Sequence, residues 1–97
     1  MKIDFLDAAQ SEFADAIAYY DEQRFGLGLE FEEKVAQALE RINHYPEAWS
    51  ALSSRVRRCI LNRFPYSVIY EIRSEIIIIV AIQHHHKKPE SWRSRVY

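Results

Sequence analysis

An unbroken apolar run near the C-terminal end restricts the folds open to this chain: Ile76-Ile77-Ile78-Ile79-Val80-Ala81-Ile82. Such a run, rich in β-branched side chains, is typical of a strand that is covered on both faces. It is far shorter than the ~20 apolar residues that span a bilayer, so no membrane segment is expected. The run predicts a central strand over residues 75–83. We expect Ile77 and Ile79 to lie on the face opposite the helices, where a partner protein would cover them.

The rest of the chain predicts two helices and further strands. Apolar residues at helical spacing indicate helices over residues 8–25 and 29–44, and the short connection Gly26-Leu27-Gly28 makes them antiparallel neighbours. Strands are expected at 2–6, 55–64 and 66–73, with an irregular segment at 46–54. The predicted fold is α+β, in the order β-α-α-β-β-β. A two-helix hairpin packs on one face of a small, mainly antiparallel sheet, and residues 1–97 form a single domain.

Charge is divided unequally between the two halves of the chain. Residues 1–48 hold eleven acidic and four basic side chains, whereas residues 49–97 hold three acidic and nine basic ones. The halves therefore carry −7 and +6, although the net charge is only −1. This asymmetry favours an anionic partner for the second half. The alternative is a solvated acidic helix surface together with strand arginines that oppose aggregation.

The arginines of the second half are the first candidates for binding. On an extended strand Arg55, Arg57 and Arg63 would share one face, and Arg58 would point to the other. Guanidinium groups at this spacing would hold phosphates or carboxylates through paired N–H donors. The alternative is ion pairing across strands, in which Arg63 or Arg73 contacts Glu71 or Glu75.

The run His84-His85-His86-Lys87-Lys88 admits three interpretations. A metal site is disfavoured, because no acidic or cysteine partner stands at a ligand spacing. A histidine, His84 first, would act as a general acid or base beside cationic side chains such as Lys87. The third interpretation is plain surface polarity. No cofactor is expected, since the chain has no glycine-rich phosphate loop and no paired cysteines.

Two further residue types bear on location and chemistry. The single cysteine, Cys59, is expected to be a buried thiol, and nothing at the N-terminus resembles a signal peptide, so a cytoplasmic location is predicted. Tyr66 and Tyr70 share the apolar side of their strand and are expected to pack in the core. Tyr97, the last residue, would reach a site only if the tail folds back.

Several short motifs occur in a characteristic order along nearly the whole chain. They are Tyr19-Tyr20, Gly26-Leu27-Gly28, Phe31, Pro46, Arg57-Arg58, Phe64-Pro65-Tyr66, Tyr70, His84, Pro89 and Trp92. In order and spacing this set resembles the RelE/ParE superfamily of type II toxin–antitoxin toxins, often called plasmid stabilisation proteins. The fold of that superfamily agrees with the one predicted above.

The resemblance implies a growth-inhibiting toxin that a cognate antitoxin neutralises through the antitoxin's C-terminal segment. Either a homodimer or a toxin–antitoxin hetero-oligomer is compatible with it. The residues expected to bind partners are Arg55, Arg57, Arg58, Arg63, Ile77, Ile79, His84 and Lys87.

Two activities divide the superfamily, and the resemblance favours one of them. ParE-type members inhibit DNA gyrase, whereas RelE-type members cut mRNA on the ribosome. The chain has no lysine between Pro46 and Arg55, where RelE-type members place lysines. An arginine does not replace a lysine that transfers a proton, because its guanidinium stays charged. We therefore expect a ParE-like gyrase poison. In the alternative, a ribosome-dependent endoribonuclease, the catalytic candidates are Arg63, His84 and Tyr97.

Overall fold

The elements follow the predicted order, with one short strand added. The structure, a computed structural model, describes residues 1–96. In chain order its elements are strand β1 (Lys2–Phe5), helix α1 (Asp7–Gln23), helix α2 (Leu27–His44), strands β2 (Ser50–Ala51), β3 (Val56–Ile60), β4 (Tyr66–Arg73) and β5 (Ile76–His84), and a 3₁₀ turn at Arg93–Arg95. The α+β class is confirmed. Strand β2 lies in a segment predicted to be irregular, and β3 ends at Ile60 rather than at residue 64.

The sheet has the strand order β1-β5-β4-β3-β2. Strand β1 runs parallel to β5, and the other neighbours are antiparallel, so the sheet is mainly antiparallel as predicted. Strand β5 has a partner on each side, which confirms that the isoleucine run is an internal strand. Because β1 is only four residues long, it accompanies β5 no further than Ile79.

Two glycines shape the tight turn between the helices. Gly26 has φ of 84°, a left-handed conformation that other residues adopt only with strain. Gly28 is needed for a different reason, since a Cβ there would lie 2.6 Å from the carbonyl oxygen of Ile17. The Gly28 N–H also donates a hydrogen bond of 2.8 Å to the carboxylate of Asp21. The two helices therefore approach each other closely at the base of the hairpin.

Both helices cover the same face of the sheet and bury the main core beneath them. Phe31, Val35 and Ile42 on α2 are fully buried against the side chains of the sheet. Tyr70 is also fully buried, and its hydroxyl donates a hydrogen bond to the carbonyl oxygen of Pro46. Tyr66 is partly buried against the same core. The core positions predicted for the two tyrosines are confirmed.

The prediction for Ile77 and Ile79 was wrong. Both side chains are fully buried in the helix-side core instead of lying on the opposite face. A β-bulge in β5 interrupts the simple alternation on which the assignment of faces was based. Tyr70 pairs with Ile79, but its neighbour Ile69 pairs with Ala81. Val80 is the extra residue, so the helix-facing positions change from odd numbers before the bulge to even numbers after it. Alternation read from the sequence alone misses this change.

The opposite face of the sheet is partly covered by the chain itself. Trp92 is 2% exposed and packs with the sheet residues Val56, Ile69 and Val80 in a second, smaller core. The C-terminal segment therefore covers much of the surface that we expected a partner to cover. None of the helices within residues 1–96 is long and apolar enough to cross a membrane.

Candidate functional site

The arginines expected to share one groove are separated in the structure. Arg57 lies in β3, but Arg55 precedes that strand and Arg63 belongs to the loop that follows it. Arg63 has φ of 74°, so an extended strand does not reach it and the alternation assumed for the three residues fails. The predicted common face of Arg55, Arg57 and Arg63 was therefore wrong.

Each of these three arginines has its own local partner. Arg63 forms an ion pair with Glu30 at the start of α2. The Arg57 guanidinium donates a hydrogen bond of 2.7 Å to the carbonyl oxygen of Trp49, which fastens the segment before β2 to the sheet. Arg55 lies 3.5 Å from the buried carboxylate of Glu71. These contacts connect neighbouring elements of the fold.

Ion pairing engages most of the positive charge in the second half. Of its nine basic side chains, six form ion pairs within the described residues: Arg55, Arg63, Arg73, Lys87, Arg93 and Arg95. Arg73 does pair with Glu71, at 2.7 Å, but along strand β4 rather than across strands as predicted, and Arg63 pairs with Glu30 rather than with Glu71 or Glu75. Among the basic side chains of residues 49–96, those without an ion pair within the described residues are Arg57, Arg58 and Lys88.

His84 and Lys87 line a cleft of about 300 Å³ on the helix side, between α1 and the end of β5. We call it the α1 cleft, and its other walls include Glu12, Asp15, Tyr19 and Tyr66. The Tyr66 and His84 rings meet edge to face, with centroids 4.9 Å apart. None of the four arginines proposed to bind a partner lines this cleft.

His84 is held as a neutral imidazole with a defined tautomer. The backbone N–H of His86 donates to its Nδ1 at 3.0 Å, so the proton of the neutral ring resides on Nε2. Burial lowers the pKa of His84, and the neighbouring imidazoles of His86 and His85 lower it further. In this state Nε2–H is a hydrogen-bond donor.

Glu12 connects the α1 cleft to the C-terminal segment. Its carboxylate receives two contacts of 2.9 Å from Arg95, one of 3.1 Å from Lys87 and one of 3.1 Å from the backbone N–H of Ile82. Burial alone would raise the pKa of Glu12, but the hydrogen bonds outweigh it and the pKa lies below its usual value. Arg95 also donates to the carbonyl oxygen of Val80 at the bulge.

A second site lies on the opposite face of the sheet, where two adjoining hollows of about 90 and 160 Å³ share Arg58 and Gln83. We call it the Arg58 groove. Inside it Ser67 Oγ and His85 Nε2 lie 3.0 Å apart, and Ser67 is only 2% exposed. Gln83 accepts a hydrogen bond from Ser91 through Oε1, and its amide nitrogen is left as a donor. A guanidinium, an amide and a hydroxyl–imidazole pair therefore lie in one groove.

The sequence prediction missed Ser67, and it named His85 only as a member of the histidine run without singling it out. Ser67 follows Tyr66 in a strand whose alternation was already recognised, so its place on the opposite face from Tyr66 was deducible. His85 had no such signal, because it lies just beyond the end of β5 and is fixed by its N–H bond to the carbonyl oxygen of Pro65. The adjacent histidines therefore lie on opposite faces of the sheet, His84 in the α1 cleft and His85 in the Arg58 groove.

Three other expectations concern single residues or small groups. Cys59 is buried as predicted, and burial raises the pKa of its thiol, against a smaller opposing effect of Arg41. Residues 1–96 contain no group of three histidine, cysteine, aspartate or glutamate side chains able to hold a metal ion. The catalytic candidate Tyr97 lies outside the described residues.

Comparison with known proteins identifies the family. A sequence model of the ParE toxin of the type II toxin–antitoxin system, parDE, matches residues 3–89. No curated protein sequence matches the chain. Among solved structures, the chain is similar to one described as the chromosomal ParDE toxin–antitoxin system from P. aeruginosa, with a TM-score of 0.75 and 15% identity. The match covers 87% of this chain and 95% of that one, which supports the fold. Because the family model extends over most of its length, the chain belongs to the ParE toxin family of type II toxin–antitoxin systems.

Proposed function

We propose that this ParE-family chain is a cytoplasmic toxin that inhibits growth by poisoning DNA gyrase, and that a cognate antitoxin neutralises it. The observation that carries the proposal is the dispersal of the second-half cations into separate ion pairs within the described residues. A surface that grips RNA needs several cations free to neutralise adjacent phosphates. A paired arginine contributes to such a surface only after losing its carboxylate partner.

The dispersed ion pairs support a surface that recognises a protein. Arg24 and Arg63 both pair with Glu30, and these alternating charges at the surface suit a protein partner better than a continuous polyanion. Arg57 is committed to the Trp49 carbonyl oxygen and is no longer a strong candidate for direct binding. The binding role predicted for Ile77 and Ile79 is not proposed again, since neither side chain reaches the surface.

The test is expression without antitoxin, with DNA synthesis and protein synthesis pulse-labelled in parallel. We expect DNA synthesis to fall first. The purified chain should also inhibit supercoiling by purified gyrase and trap gyrase–DNA cleavage complexes. Early loss of translation with DNA synthesis intact would contradict the proposal. Co-expression of the antitoxin encoded beside the toxin should restore growth, and failure to do so would overturn the neutralisation.

The Arg58 groove supports a second candidate, a ribosome-dependent mRNA endoribonuclease. Arg58 is exposed and has no ion pair within the described residues, and Ser67 holds the His85 imidazole at 3.0 Å. His85 would accept the proton of a ribose 2′-hydroxyl as that oxygen attacks the adjacent phosphorus. The bond from phosphorus to the 5′-oxygen would break, leaving a 2′,3′-cyclic phosphate, and the departing 5′-oxygen would take a proton from water. Arg58 would stabilise the negative charge that develops on the phosphate oxygens. Arg63 and His84, the earlier candidates, lie outside this groove.

Adjacent histidines provide a matched test of the second candidate. If the groove cleaves RNA, His85→Ala and Arg58→Ala should abolish codon-phased mRNA cuts, whereas His84→Ala should retain them. The opposite result, with cuts lost only in His84→Ala, would place the chemistry in the α1 cleft. If the wild-type chain cuts no mRNA on ribosomes, the endoribonuclease candidate is ruled out and gyrase poisoning is the one proposal that stands.

A further inference from the structure

The α1 cleft exists because the first strand is short. Strand β1 ends at Phe5 and pairs with β5 only as far as Ile79, while β5 continues to His84. Over this last part β4 still pairs with β5 on one side, but within the described residues no strand lies on the side where β1 has ended, and helix α1 passes over that gap. The cleft floor includes Ile82, so the site combines an apolar base with walls contributed by two different elements.

Aromatic rings form the walls. Tyr19 on α1 lines the cleft and is 55% exposed, so its ring is accessible to a ligand. Tyr66 on β4 is partly buried, and its edge-to-face contacts with Tyr20 and His84 hold its ring in place. The face of a tyrosine ring attracts cations, and guanidinium groups above all.

The charges of the cleft favour a cation as well. Helix α1 contains five acidic residues and no lysine or arginine. Glu12 is already saturated by Arg95, Lys87 and the Ile82 N–H, whereas Asp15 is exposed and makes no ion pair within the described residues. The one ammonium in the lining, that of Lys87, is bound to Glu12, so Asp15 is the carboxylate of the lining that has no cation paired with it within the described residues.

We propose that the α1 cleft receives a basic side chain, arginine or lysine, from the cognate antitoxin. The cation lies against Tyr19 and Tyr66 and forms an ion pair with Asp15, while its aliphatic stem covers Ile82. The inference rests on the proposed neutralisation, and the antitoxin is chosen because it is the partner that ParE family membership implies. The neutral His84 imidazole adds no competing positive charge and presents its Nε2–H to the partner's backbone or side-chain oxygen.

The test uses the full-length toxin and the purified antitoxin encoded beside it, with affinity measured by calorimetry. Asp15→Lys and Tyr19→Ala should each raise the Kd at least tenfold, because one removes the ion pair and the other an aromatic wall. Glu33→Lys is the matched control, since it makes the same charge change at an exposed position on α2 and should bind like the wild type. Circular dichroism and thermal unfolding verify that each variant is folded.

A charge swap identifies the partner residue. Each arginine and lysine of the antitoxin is changed to glutamate in turn, and each variant is tested against the Asp15→Lys toxin. Restored affinity with one such variant is the expected result. Wild-type affinity of both Asp15→Lys and Tyr19→Ala would overturn the inference and leave the proposed neutralisation intact. Absence of binding by the wild-type toxin would overturn both.

Discussion

The Glu12 carboxylate and the Arg95 guanidinium face each other through two parallel contacts of 2.9 Å, although 83 positions separate them in the chain. The pair fastens the 3₁₀ turn near the C-terminus to the first helix. It also occupies β5 backbone groups next to the β-bulge, because Glu12 accepts from the Ile82 N–H and Arg95 donates to the Val80 carbonyl. The C-terminal segment is thus tied to the strand that carries the isoleucine run.

Replacement of Glu12 by glutamine should destabilise the fold by about 1–3 kcal/mol at neutral pH, since Arg95 and Lys87 lose their charged acceptor. The folded-state pKa of Glu12 lies below its unfolded value, so its stabilisation is present above about pH 4.5 and is lost as the pH falls lower. Urea unfolding at pH 7 and at pH 3 checks this. The free energies of unfolding of the wild type and of Glu12→Gln should differ less at pH 3 than at pH 7. An equal difference at the two pH values would refute the link to the pKa of Glu12.

Alanine at Gly28 should weaken the helical hairpin. The added Cβ would lie 2.6 Å from the Ile17 carbonyl oxygen, which is backbone and cannot move aside cheaply. Overpacking of this kind costs about 1–3 kcal/mol. The matched variant Gly26→Ala meets no atom within 4 Å, so its loss of about 1–2 kcal/mol comes from the left-handed backbone alone. A Gly28→Ala protein as stable as the wild type in urea would show that the helices can separate.

Truncation of Ile79 to alanine should lower the free energy of unfolding by about 2–5 kcal/mol, as expected for a fully buried side chain. Ile60→Ala is the control, because Ile60 is 53% exposed and should change stability by only about 0.5 kcal/mol. Chemical unfolding measures both. If Ile79→Ala were harmless to the fold but weakened antitoxin binding, the original assignment of Ile79 to a partner surface would be restored.

Tyr70→Phe should cost about 1 kcal/mol, because the Pro46 carbonyl oxygen loses its donor. Burial raises the pKa of Tyr70 to about 12, with Arg57 opposing the shift. The folded state therefore holds this proton more tightly, and wild-type stability should fall as the pH rises from about 10 to about 12. In an ultraviolet absorbance titration, the tyrosine ionisation at the highest pH should be absent from Tyr70→Phe. It should still be present in the control Tyr45→Phe, because the Tyr45 ring is exposed.

Local sequence patterns determined the order of the elements, the tight helical hairpin and the internal position of the isoleucine strand. Each depends on neighbouring residues: helical spacing of apolar side chains, the glycines at 26 and 28, and a seven-residue apolar run. The ordered motifs also identified the family. These features are local or nearly so, and a single sequence is enough to reveal them.

The tertiary structure alone decided which surfaces those elements present. The bulge at Val80 changes the facing of β5, so Ile77 and Ile79 before it and Ile82 after it all lie on the helix side. The partner of each arginine is likewise a matter of distance in space, as Glu30 for Arg63 and Glu12 for Arg95 show. Alternation and charge counts describe neighbours along the chain. Register shifts and ion pairs between distant segments depend on how the whole chain packs, so the two candidate sites emerged only from the folded molecule.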